Sequence, residues 1–408
     1  MSFDDLIKRT GWSPSRVGAE FDIQQGKAVS AKWRTGRNER PFLRTRNVLW
    51  DDLDLSDLDR MEFGDTEASR LALVDGDLLT CEGGDIGRTA MWCDGTSECL
   101  YQNHLHRLRR RSERINPRFA LHWLRAAFTV LDLYGGAGNK TTIPNLSAAR
   151  LRDLPMPVPH RTTQDDIAAV LDTARDAIQA QALIVRGYEK LRTEVIAERL
   201  ADQSESVALS ECVEEMRYGT SVRCEPQGAG LPVLRIPNVV KEEIDLRDLK
   251  FADLSSADRS RYGMRSGDLL FVRTNGSREY IGRCAVYEDR PTPAAFASYL
   301  IRVRLRAGTF NPKYVRTYLS SAGREQILMR ATPAADGKFN LDTGALRALE
   351  IPLVDEIEQA VIADMADEFT ARIGAGRAHL LYLEELYEAL LADLMTGAQP
   401  AAVAGERR

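Results

Sequence analysis

The chain has 408 residues, which exceeds a typical single domain of about 150 residues and predicts two or more separate cores. Its 44% hydrophobic and 28% charged content excludes wholesale disorder. No apolar run reaches the ~18 residues of a spanning helix, the first residues lack the apolar stretch of a secretory signal, and six scattered cysteines form no CxxC pair. We therefore expect a soluble, cytoplasmic protein with reduced thiols.

The net charge of −5 is unevenly distributed along the chain. Residues 350–395 carry eleven acids and two arginines, or −9, so the remainder carries +4. Residues 1–50 hold ten Lys or Arg against five acids, and six arginines lie within 107–118. This pattern predicts a basic surface of the kind that binds phosphates, with solvated arginines on a strand edge as the alternative.

An internal repeat divides the chain into two copies. Short segments recur at an offset of 191 residues, and after a four-residue insertion the offset becomes 195. The clearest pairs are PFLRTRNVL (41–49) with PVLRIPNVV (232–240), GDLL (76–79) with GDLL (267–270), and IGR (86–88) with IGR (281–283). Because the landmarks keep their order, the sequence predicts a tandem duplication of a unit of roughly 195 residues.

Each copy begins with short β-rich runs and turns, continues into a helix, and ends in one long helix. The fold class predicted is therefore α/β (α+β), with two similar domains joined by two long helices. The predicted segments are domain 1 (1–159), a central helix (160–202), domain 2 (203–354), a C-terminal helix (355–397) and a flexible tail (398–408).

Apolar residues in the two long helices recur at spacings of 4 and 3, which is typical of a coiled-coil seam. Two copies of one unit bury both seams when the helices pair antiparallel about a pseudo-two-fold axis; the alternative is two core helices, each inside its own domain. Gly374 and Gly376 predict close backbone approach, because glycine inside a helix costs ~1 kcal/mol relative to alanine. The predicted seam comprises Ile167, Leu171, Ile178, Val185 and Tyr188 in the first helix, and Phe369, Ile373, Leu380, Leu383, Tyr387, Leu390 and Leu394 in the second.

A strand-then-proline segment precedes each long helix. TIPNLS (142–147) leads to LPMP (154–157) in copy one, and FNLD (339–342) leads to IPL (351–353) in copy two. With the doubled period, these motifs make the whole chain resemble the specificity subunit of a bacterial type I restriction–modification system. Copy two departs from the pattern, since Lys338-Phe339 stands where copy one has Ile143-Pro144.

This resemblance implies two target-recognition domains and a bipartite double-stranded DNA target with an unread gap. It also implies DNA methyltransferase (M) subunits that clasp the helices and a restriction/translocase (R) subunit. We therefore expect a non-catalytic subunit that specifies the DNA sequence. The alternative is a coiled-coil scaffold that binds only proteins, such as acidic partners.

The search for catalytic motifs gives no constellation, so we expect no enzyme activity, no cofactor and no metal. GGAGNKT (135–141) lacks the glycine directly before its lysine that a Walker A loop needs, although an enzyme using this loop on a nucleotide is kept as a rival hypothesis. His104, His106 and His122 have no carboxylate or cysteine at ligand spacing, and we expect them to pack or to contact phosphate.

Arginine and asparagine on predicted loops are the candidate DNA contacts, because arginine can bind guanine and asparagine can bind adenine through paired hydrogen bonds. Arg44 and Arg235 are equivalent, as are Asn47 and Asn238, which favours scaffold or phosphate roles. Residues that differ between copies, such as Asn275 and Arg278, should select bases. The full set is Arg34, Arg37, Arg44, Arg46, Asn47 and Lys140 in copy one, and Arg235, Asn238, Arg273, Asn275, Arg278 and Lys338 in copy two.

Overall fold

The computed structural model divides the chain into two compact units. Unit 1 comprises Met1–Gln181 and His379–Arg408, and unit 2 comprises Ala182–Ala378. Each unit combines one copy of the repeat with segments of both long helices. The structure describes residues 1–34, 36, 38–93, 98–134, 145–201, 203–228, 230–239, 242–288, 293–334 and 337–397. Across those ranges, no helix is long and apolar enough to cross a membrane.

Unit 1 contains an antiparallel four-stranded sheet, a mixed three-stranded sheet and an antiparallel strand pair, together with helices. The four-stranded sheet has the order β2-β8-β5-β6, the three-stranded sheet has the order β4-β3-β7, and β1 pairs with β9. The strands are β1 (Ser13–Arg16), β2 (Phe21–Gln25), β3 (Glu39–Leu43), β4 (Asp59–Glu62), β5 (Leu78–Cys81), β6 (Thr89–Met91), β7 (Leu100–Tyr101), β8 (Leu105–Arg110) and β9 (Pro155–Val158). The helices are α1 (Phe3–Thr10), α2 (Val17–Glu20), α3 (Asp65–Leu71), α4 (Pro117–Arg125), α5 (Ala148–Asp153) and the long α6 (Arg161–Arg199), which continues into unit 2.

Local sequence explains several of these element ends. Ser2 and Asp5 form a capping box at the start of α1, and Gly11 ends the helix with φ 68°. Asn116 caps α4, whose first residue is the expected helix-starting proline, Pro117. A larger core lies between the four-stranded sheet, α4 and the long-helix segments, and a second core lies under the three-stranded sheet.

Unit 2 repeats this arrangement with its own strands. The four-stranded sheet has the order β11-β18-β14-β16, a three-stranded sheet has the order β13-β12-β17, and β10 pairs with β21; a further small sheet has the order β15-β20-β19. The strands are β10 (Ser206–Ala208), β11 (Val213–Tyr218), β12 (Leu231–Leu234), β13 (Lys250–Ala252), β14 (Leu269–Val272), β15 (Thr274–Asn275), β16 (Cys284–Val286), β17 (Ala295–Phe296), β18 (Leu300–Leu305), β19 (Thr332–Pro333), β20 (Phe339–Asn340) and β21 (Glu350–Pro352). The helices are α7 (Leu209–Cys212), α8 (Ser256–Tyr262), α9 (Pro312–Ser320), α10 (Arg324–Arg330), α11 (Thr343–Arg347) and α12 (Glu356–Met395), whose last part belongs to unit 1.

The GDLL motif of each copy occupies the same structural position. Gly76 and Gly267 adopt φ values of 84° and 86°, which favour glycine, and each turns the chain into a buried central strand. The next residue is an aspartate that is 1% exposed in both units, Asp77 and Asp268. The two copies therefore share strand order and turn chemistry, which gives the sequence repeat a structural basis.

Both long helices begin with the same buried glutamine contact. Gln164 in α6 accepts a hydrogen bond from the backbone of Asn116 at 2.8 Å, and Gln359 in α12 accepts one from the backbone of Asn311 at 2.7 Å. These contacts attach the first turn of α6 to the N-cap of α4 and the first turn of α12 to the N-cap of α9. The spacing of 195 residues between the two glutamines extends the repeat into the long helices.

The apolar stripe of the long helices is turned inward in each unit. All twelve predicted seam side chains are buried or half-buried. In unit 1, Leu171 and Tyr387 lie in one core cluster, and in unit 2 the rings of Tyr188 and Phe369 are 6.5 Å apart. The expectation of close backbone approach at Gly374 is wrong, because a Cβ placed there meets nothing within 4 Å.

Candidate nucleic-acid interface

Three predicted DNA contacts converge on one carboxylate in unit 1. Asp59 accepts hydrogen bonds from Arg34, Arg44 and Arg46, each at 3.0 Å, and Arg46 also bonds Asp57 at 3.0 Å. The side chains of Arg34 and Arg46 remain 50% exposed and that of Arg44 remains 40% exposed. Each guanidinium has five N–H donors, so donors remain beyond those used on the carboxylates. The cluster is able to bind an anion.

The predicted DNA contacts Asn47 and Asn238 hold turns instead. Both side chains lie in residues that are at most 2% exposed. The Oδ1 of Asn47 accepts from the backbone N–H of Arg44 at 2.9 Å, and its Nδ2 donates to the carbonyls of Asp54 and Asp57. Asn238 makes the same set of bonds in unit 2, to the backbone at positions 235, 245 and 248. Since these buried amides donate both hydrogens internally, their assignment as DNA contacts is corrected to a structural role.

The predicted contacts in unit 2 lie on separate segments. Arg235 donates to Asp248 at 2.7 Å, as its counterpart Arg44 donates to an aspartate in unit 1. The Oδ1 of Asn275 accepts from the backbone of Ser277 at 2.9 Å, within the loop after β15. Other predicted contacts in the unit are Arg273, Arg278, which donates to the carbonyl of Leu328 at 2.8 Å, and Lys338, which is exposed. Arg37 and Lys140 lie outside the described residues.

The basic stretch 107–118 is engaged in ion pairs within unit 1. Each of its arginines has an acidic partner, although the side chains of Arg110, Arg111, Arg114 and Arg118 remain 40–54% exposed. The pairs are Arg107–Asp22, Arg109–Asp77, Arg110–Glu113, Arg111–Asp22, Arg114–Glu20 and Arg118–Asp172. Hydrogen bonding to Asp77 raises the pKa of Arg109. The pairs with Asp22 and Asp172 therefore join this basic segment to β2 and to the long helix.

The comparisons with known proteins agree on one family. Residues 10–184 match the family model described as the type I restriction modification DNA specificity domain. The specificity subunit of the type I restriction enzyme EcoKI from Escherichia coli K12 is 28% identical over 158 residues, which cover 38% of this chain and 34% of that protein. The putative MjaX specificity subunit from Methanocaldococcus jannaschii is 26% identical over 189 residues, which cover 46% of this chain and 44% of that protein.

The chain is therefore similar to the type I restriction–modification specificity subunits, and the family model covers 175 of its 408 residues. The matched stretches span less than half the length of these curated relatives. The crystal structure of the S subunit from M. genitalium aligns with a TM-score of 0.54 at 14% identity, over 94% of this chain and 96% of that one. This likeness shows that the fold is shared over nearly the whole specificity subunit.

Unit 1 also contains a buried polar network that sequence reasoning did not assign. In unit 1 the Nδ1 of His122 lies 3.0 Å from the hydroxyl of Tyr387, and its Nε2 lies 3.0 Å from Asp172. Burial alone would raise the pKa of Asp172, but hydrogen bonds from His122 and Arg118 hold it below its ordinary value. His122 therefore packs, as expected, and among the described residues no group of three or more His, Cys, Asp or Glu could hold a metal.

A loop acid in each unit contacts a long helix. Asp51 (φ 61°) accepts from Tyr387 at 3.2 Å, and Glu242 (φ 68°), 191 residues later, accepts from Arg192 at 3.1 Å. Both acids adopt a left-handed conformation that is uncommon for residues with a side chain. The helix residues Tyr387 and Arg192 are 195 positions apart. Once one of these two contacts is known, the repeat offsets of 191 and 195 residues therefore indicate the other.

Proposed function

We propose that this chain is the non-catalytic, DNA-sequence-specifying subunit of a cytoplasmic type I restriction–modification complex, and that it recognises a bipartite, gapped duplex target. The observation that carries the proposal is that the two units repeat one frame while their surface side chains differ. Arg34, Arg44 and Arg46 form a cluster in unit 1 that unit 2 does not repeat, since Pro237 stands at the position equivalent to Arg46. Similar scaffolds with different surface residues suit two different short DNA sequences.

The gap in the target follows from the proposed role of the long helices as an antiparallel coiled coil that separates the recognition domains. Contacts inside unit 2 support this arrangement. Tyr188 of α6 meets Phe369 of α12, while Arg199, eleven residues later in α6, pairs with Glu358, eleven residues earlier in α12. One sequence number rises as the other falls, which is the pattern of antiparallel helices. The sustained 4-3 spacing of the seam supports the same conclusion.

Docking of methyltransferase and restriction subunits is supported by exposed apolar residues on the long helices. In unit 2, Leu183, Ile184 and Leu191 of α6 are 63%, 51% and 46% exposed. In unit 1, Leu381 and Tyr382 of α12 are 62% and 60% exposed. Clusters of large exposed apolar residues on one element are characteristic of protein interaction surfaces. We propose that methyltransferase subunits cover these helix faces.

A cavity that recurs at equivalent positions supports two copies of one partner. The cavity in unit 1 has a volume of about 330 Å³ and is lined by Asp51, Cys93 and Arg118, among others. The cavity in unit 2 has a volume of about 370 Å³ and is lined by the equivalent residues Glu242, Glu288 and Lys313. A partner subunit that recognises one cavity would find a related cavity in the other unit.

The DNA contacts proposed on the described residues are exposed or half-exposed cationic and amide groups with spare donors. Arg34, Arg44 and Arg46 would bind the DNA backbone, because their shared carboxylates fix them side by side as a group of positive charge. The remaining proposed contacts are Arg235, Arg273, Asn275, Arg278 and Lys338, together with Arg37 and Lys140 outside the described ranges.

A selection from random duplexes tests the proposal. The full chain, co-purified with the methyltransferase with which it assembles, is incubated with a duplex library, and the retained sequences are determined. We expect a two-part sequence with a fixed gap of unselected positions. Recovery of one continuous motif, or of none, would contradict the proposal. Affinity for the selected duplex should fall steeply with salt, since phosphate contacts release counterions, whereas a scaffold that binds only proteins would show no such duplex affinity.

A further inference from the structure

The residue that follows the central strand, β5 in unit 1 and β14 in unit 2, makes the same backbone hydrogen bonds in both units. Glu82 N–H donates to the carbonyl of His104 at 2.9 Å, and Arg273 N–H donates to the carbonyl of Tyr299 at 3.0 Å. The carbonyls at 82 and 273 in turn accept from Leu146 at 2.7 Å and from Leu341 at 2.8 Å. The backbone at this site is therefore the same in the two copies to within 0.1 Å in these distances.

A glycine that follows a neighbouring strand, Gly26 in unit 1 and Gly219 in unit 2, also has the same close contacts in both units. A Cβ on Gly26 would lie 2.3 Å from the carbonyl oxygens of Tyr101 and Gln102. A Cβ on Gly219 would lie 2.3 Å from the carbonyl oxygens of Phe296 and Ala297. Because only glycine allows this close approach, the strands before them end at matching points. Their last residues are Gln25 and Tyr218, which pair with His106 and Ile301 respectively.

The side chains on this matched backbone are entirely different. In unit 1, the Nε2 of Gln25 and the Nδ1 of His104 each lie 3.4 Å from the Oε2 of Glu82. The side chain of His104 is 59% exposed, whereas that of Glu82 is only 13% exposed. This trio, Gln25–Glu82–His104, presents an amide, an imidazole and a carboxylate at the surface.

Unit 2 presents an arginine and two aromatic rings at the equivalent positions. The guanidinium carbon of Arg273 lies 4.6 Å from the centre of the Tyr218 ring, and its Nη1 donates to the carbonyl of Ser298 at 3.3 Å. Tyr299 is 58% exposed, and Tyr218 is 37% exposed. Stacking on an aromatic ring orients the planar guanidinium. Its Nε is buried, so a ligand would be met by the hydrogens of Nη1 and Nη2 that are not bonded to Ser298. This trio is Tyr218–Arg273–Tyr299.

We propose that each trio contacts bases and determines sequence preference in its own half of the target, an inference that rests on the proposed function above. The argument is that an evolutionary duplicate keeps its backbone where geometry matters and changes its side chains where the ligand differs. The positions on the shared frame are Gln25 with Tyr218, Glu82 with Arg273, and His104 with Tyr299. Of these six side chains, Arg273 was predicted from the sequence as a DNA contact, and His104 was expected to pack or to contact phosphate.

The chemistry of the trios predicts different bases. A carboxylate accepts but never donates at neutral pH, so Glu82 suits the exocyclic amino group of cytosine or adenine. The Nε2 of Gln25 donates to the carbonyl of Asn103 at 2.8 Å and to Glu82 at 3.4 Å, so its Oε1 would accept from the same kind of amino group. Arg273 presents the paired donors that recognise O6 and N7 of guanine. Unit 1 should therefore select a base pair through an amino group, and unit 2 should select a guanine.

The test repeats the duplex selection with Glu82→Gln and His104→Ala in unit 1 and with Arg273→Lys and Tyr299→Ala in unit 2. We expect Glu82→Gln and Arg273→Lys each to reduce the preference at one position of one half-site by about tenfold, since one good base contact has about that effect. His104→Ala and Tyr299→Ala should alter the same half-sites as their neighbours. The variants of one unit are controls for those of the other, and Asp153→Asn, far along the chain on an exposed ion pair, is a control for substitution itself.

Three outcomes separate the inference from the proposed function. A parent complex that selects no gapped sequence overturns the proposed function. A parent that selects a gapped sequence, with unchanged half-sites in all four variants, overturns the role of the trios and leaves the proposed function standing. Changes that spread over both halves from a single-unit substitution also overturn the inference. Thermal melting of each variant establishes that it is folded, and Arg273→Lys keeps the charge so that loss of preference is not confused with loss of phosphate binding.

Discussion

The carboxylate of Asp77 accepts two hydrogen bonds from the guanidinium of Arg109, from Nε at 2.8 Å and from Nη2 at 2.6 Å. Asp268 accepts the same pair from Arg304, at 2.7 Å and 2.7 Å. Each aspartate also accepts a hydrogen bond from the backbone N–H of the residue three positions earlier. The donors are Val74, at 2.9 Å, and Arg265, at 2.8 Å. The ion pair therefore joins the GDLL turn to the neighbouring strand in both copies of the repeat.

Asp77→Asn should lower the free energy of unfolding of unit 1 by about 2 kcal/mol. The substitution removes one member of a pair whose carboxylate is buried, although the effect is smaller than the ~3–5 kcal/mol of a fully buried pair because Arg109 is partly exposed. Urea unfolding followed by tryptophan fluorescence measures the change. Asp153→Asn is the matched control, since the pair Arg16–Asp153 is mostly exposed and such pairs contribute about 0–1 kcal/mol. Equal effects of the two substitutions would show that the Asp77 pair does not hold the fold.

Gly187→Ala and Gly374→Ala should each raise the free energy of unfolding by about 0.5–1 kcal/mol. Both glycines lie inside long helices, and a Cβ at either position meets nothing within 4 Å. Alanine restricts the unfolded chain and favours the helix without a steric cost. Chemical unfolding of the isolated chain measures the gain.

Gly219→Ala is the opposing control for the helix substitutions. Its Cβ would lie 2.3 Å from two backbone oxygens, which flexible side chains cannot relieve. We expect loss of the cooperative unfolding transition of unit 2, or failure to accumulate folded protein. A neutral result at this position would mean that the strand end is not held as tightly as the structure indicates.

The sequence predicted those features that depend on order and periodicity along the chain. The repeat offset leads directly to the matched turns of Gly76 and Gly267, and the 4-3 spacing leads to the inward stripe that contains Leu171 and Tyr387. Both signals are local or strictly periodic, so a single sequence contains them.

Side-chain partners distant in sequence were not predictable in the same way. Arg109 lies 32 residues from Asp77, and nothing in the run of basic residues indicates that its charges are balanced by acids elsewhere. Asn47 has the composition of a base contact but is buried by its own turn. Composition gives the number of charged groups, whereas only the fold decides which of them remain available to a ligand.

Tyr387→Phe should lower the free energy of unfolding of unit 1 by about 1–2 kcal/mol, because it leaves the buried Nδ1 of His122 without a partner, whereas the Oδ2 of Asp51 keeps its hydrogen bond from Arg125. The tyrosine hydroxyl lies 3.0 Å from His122 Nδ1 and 3.2 Å from Asp51 Oδ2, and the residue is 1% exposed. The measurement is hydrogen exchange of α4 and of the last turns of α12, which should both increase. Tyr382→Phe is the control, since Tyr382 is 60% exposed and the ring is retained. Hydrogen exchange that rises equally in both variants would contradict the prediction that the buried network attaches α12 to α4.

Acidification below pH 6.5 should destabilise unit 1 through His106. Burial holds the pKa of His106 below its ordinary value of 6.5, against the opposing effect of its hydrogen bond with the carbonyl of Leu146 at 2.9 Å. Its Nδ1 is buried and has no hydrogen-bond partner among the described residues. Above about pH 6.5 both the folded and the unfolded histidine are neutral, so stability does not depend on this group. As the pH falls further, the unfolded chain takes up a proton that the folded chain resists, and stability is lost.

His106→Ile isolates this effect because the second copy carries Ile301 at the equivalent strand position, where it is fully buried. The variant should fold, with some loss of stability at pH 7.5 from the unpaired carbonyl of Leu146. Between pH 7.5 and pH 5.0, the melting temperature should fall less steeply for the variant than for the parent. The comparison uses the difference between the two slopes of melting temperature against pH. Contributions from histidines that both proteins contain, such as His104 and His160, cancel in that difference. Parallel slopes would mean that His106 is protonated in the folded state and that its burial does not control the acid response of unit 1.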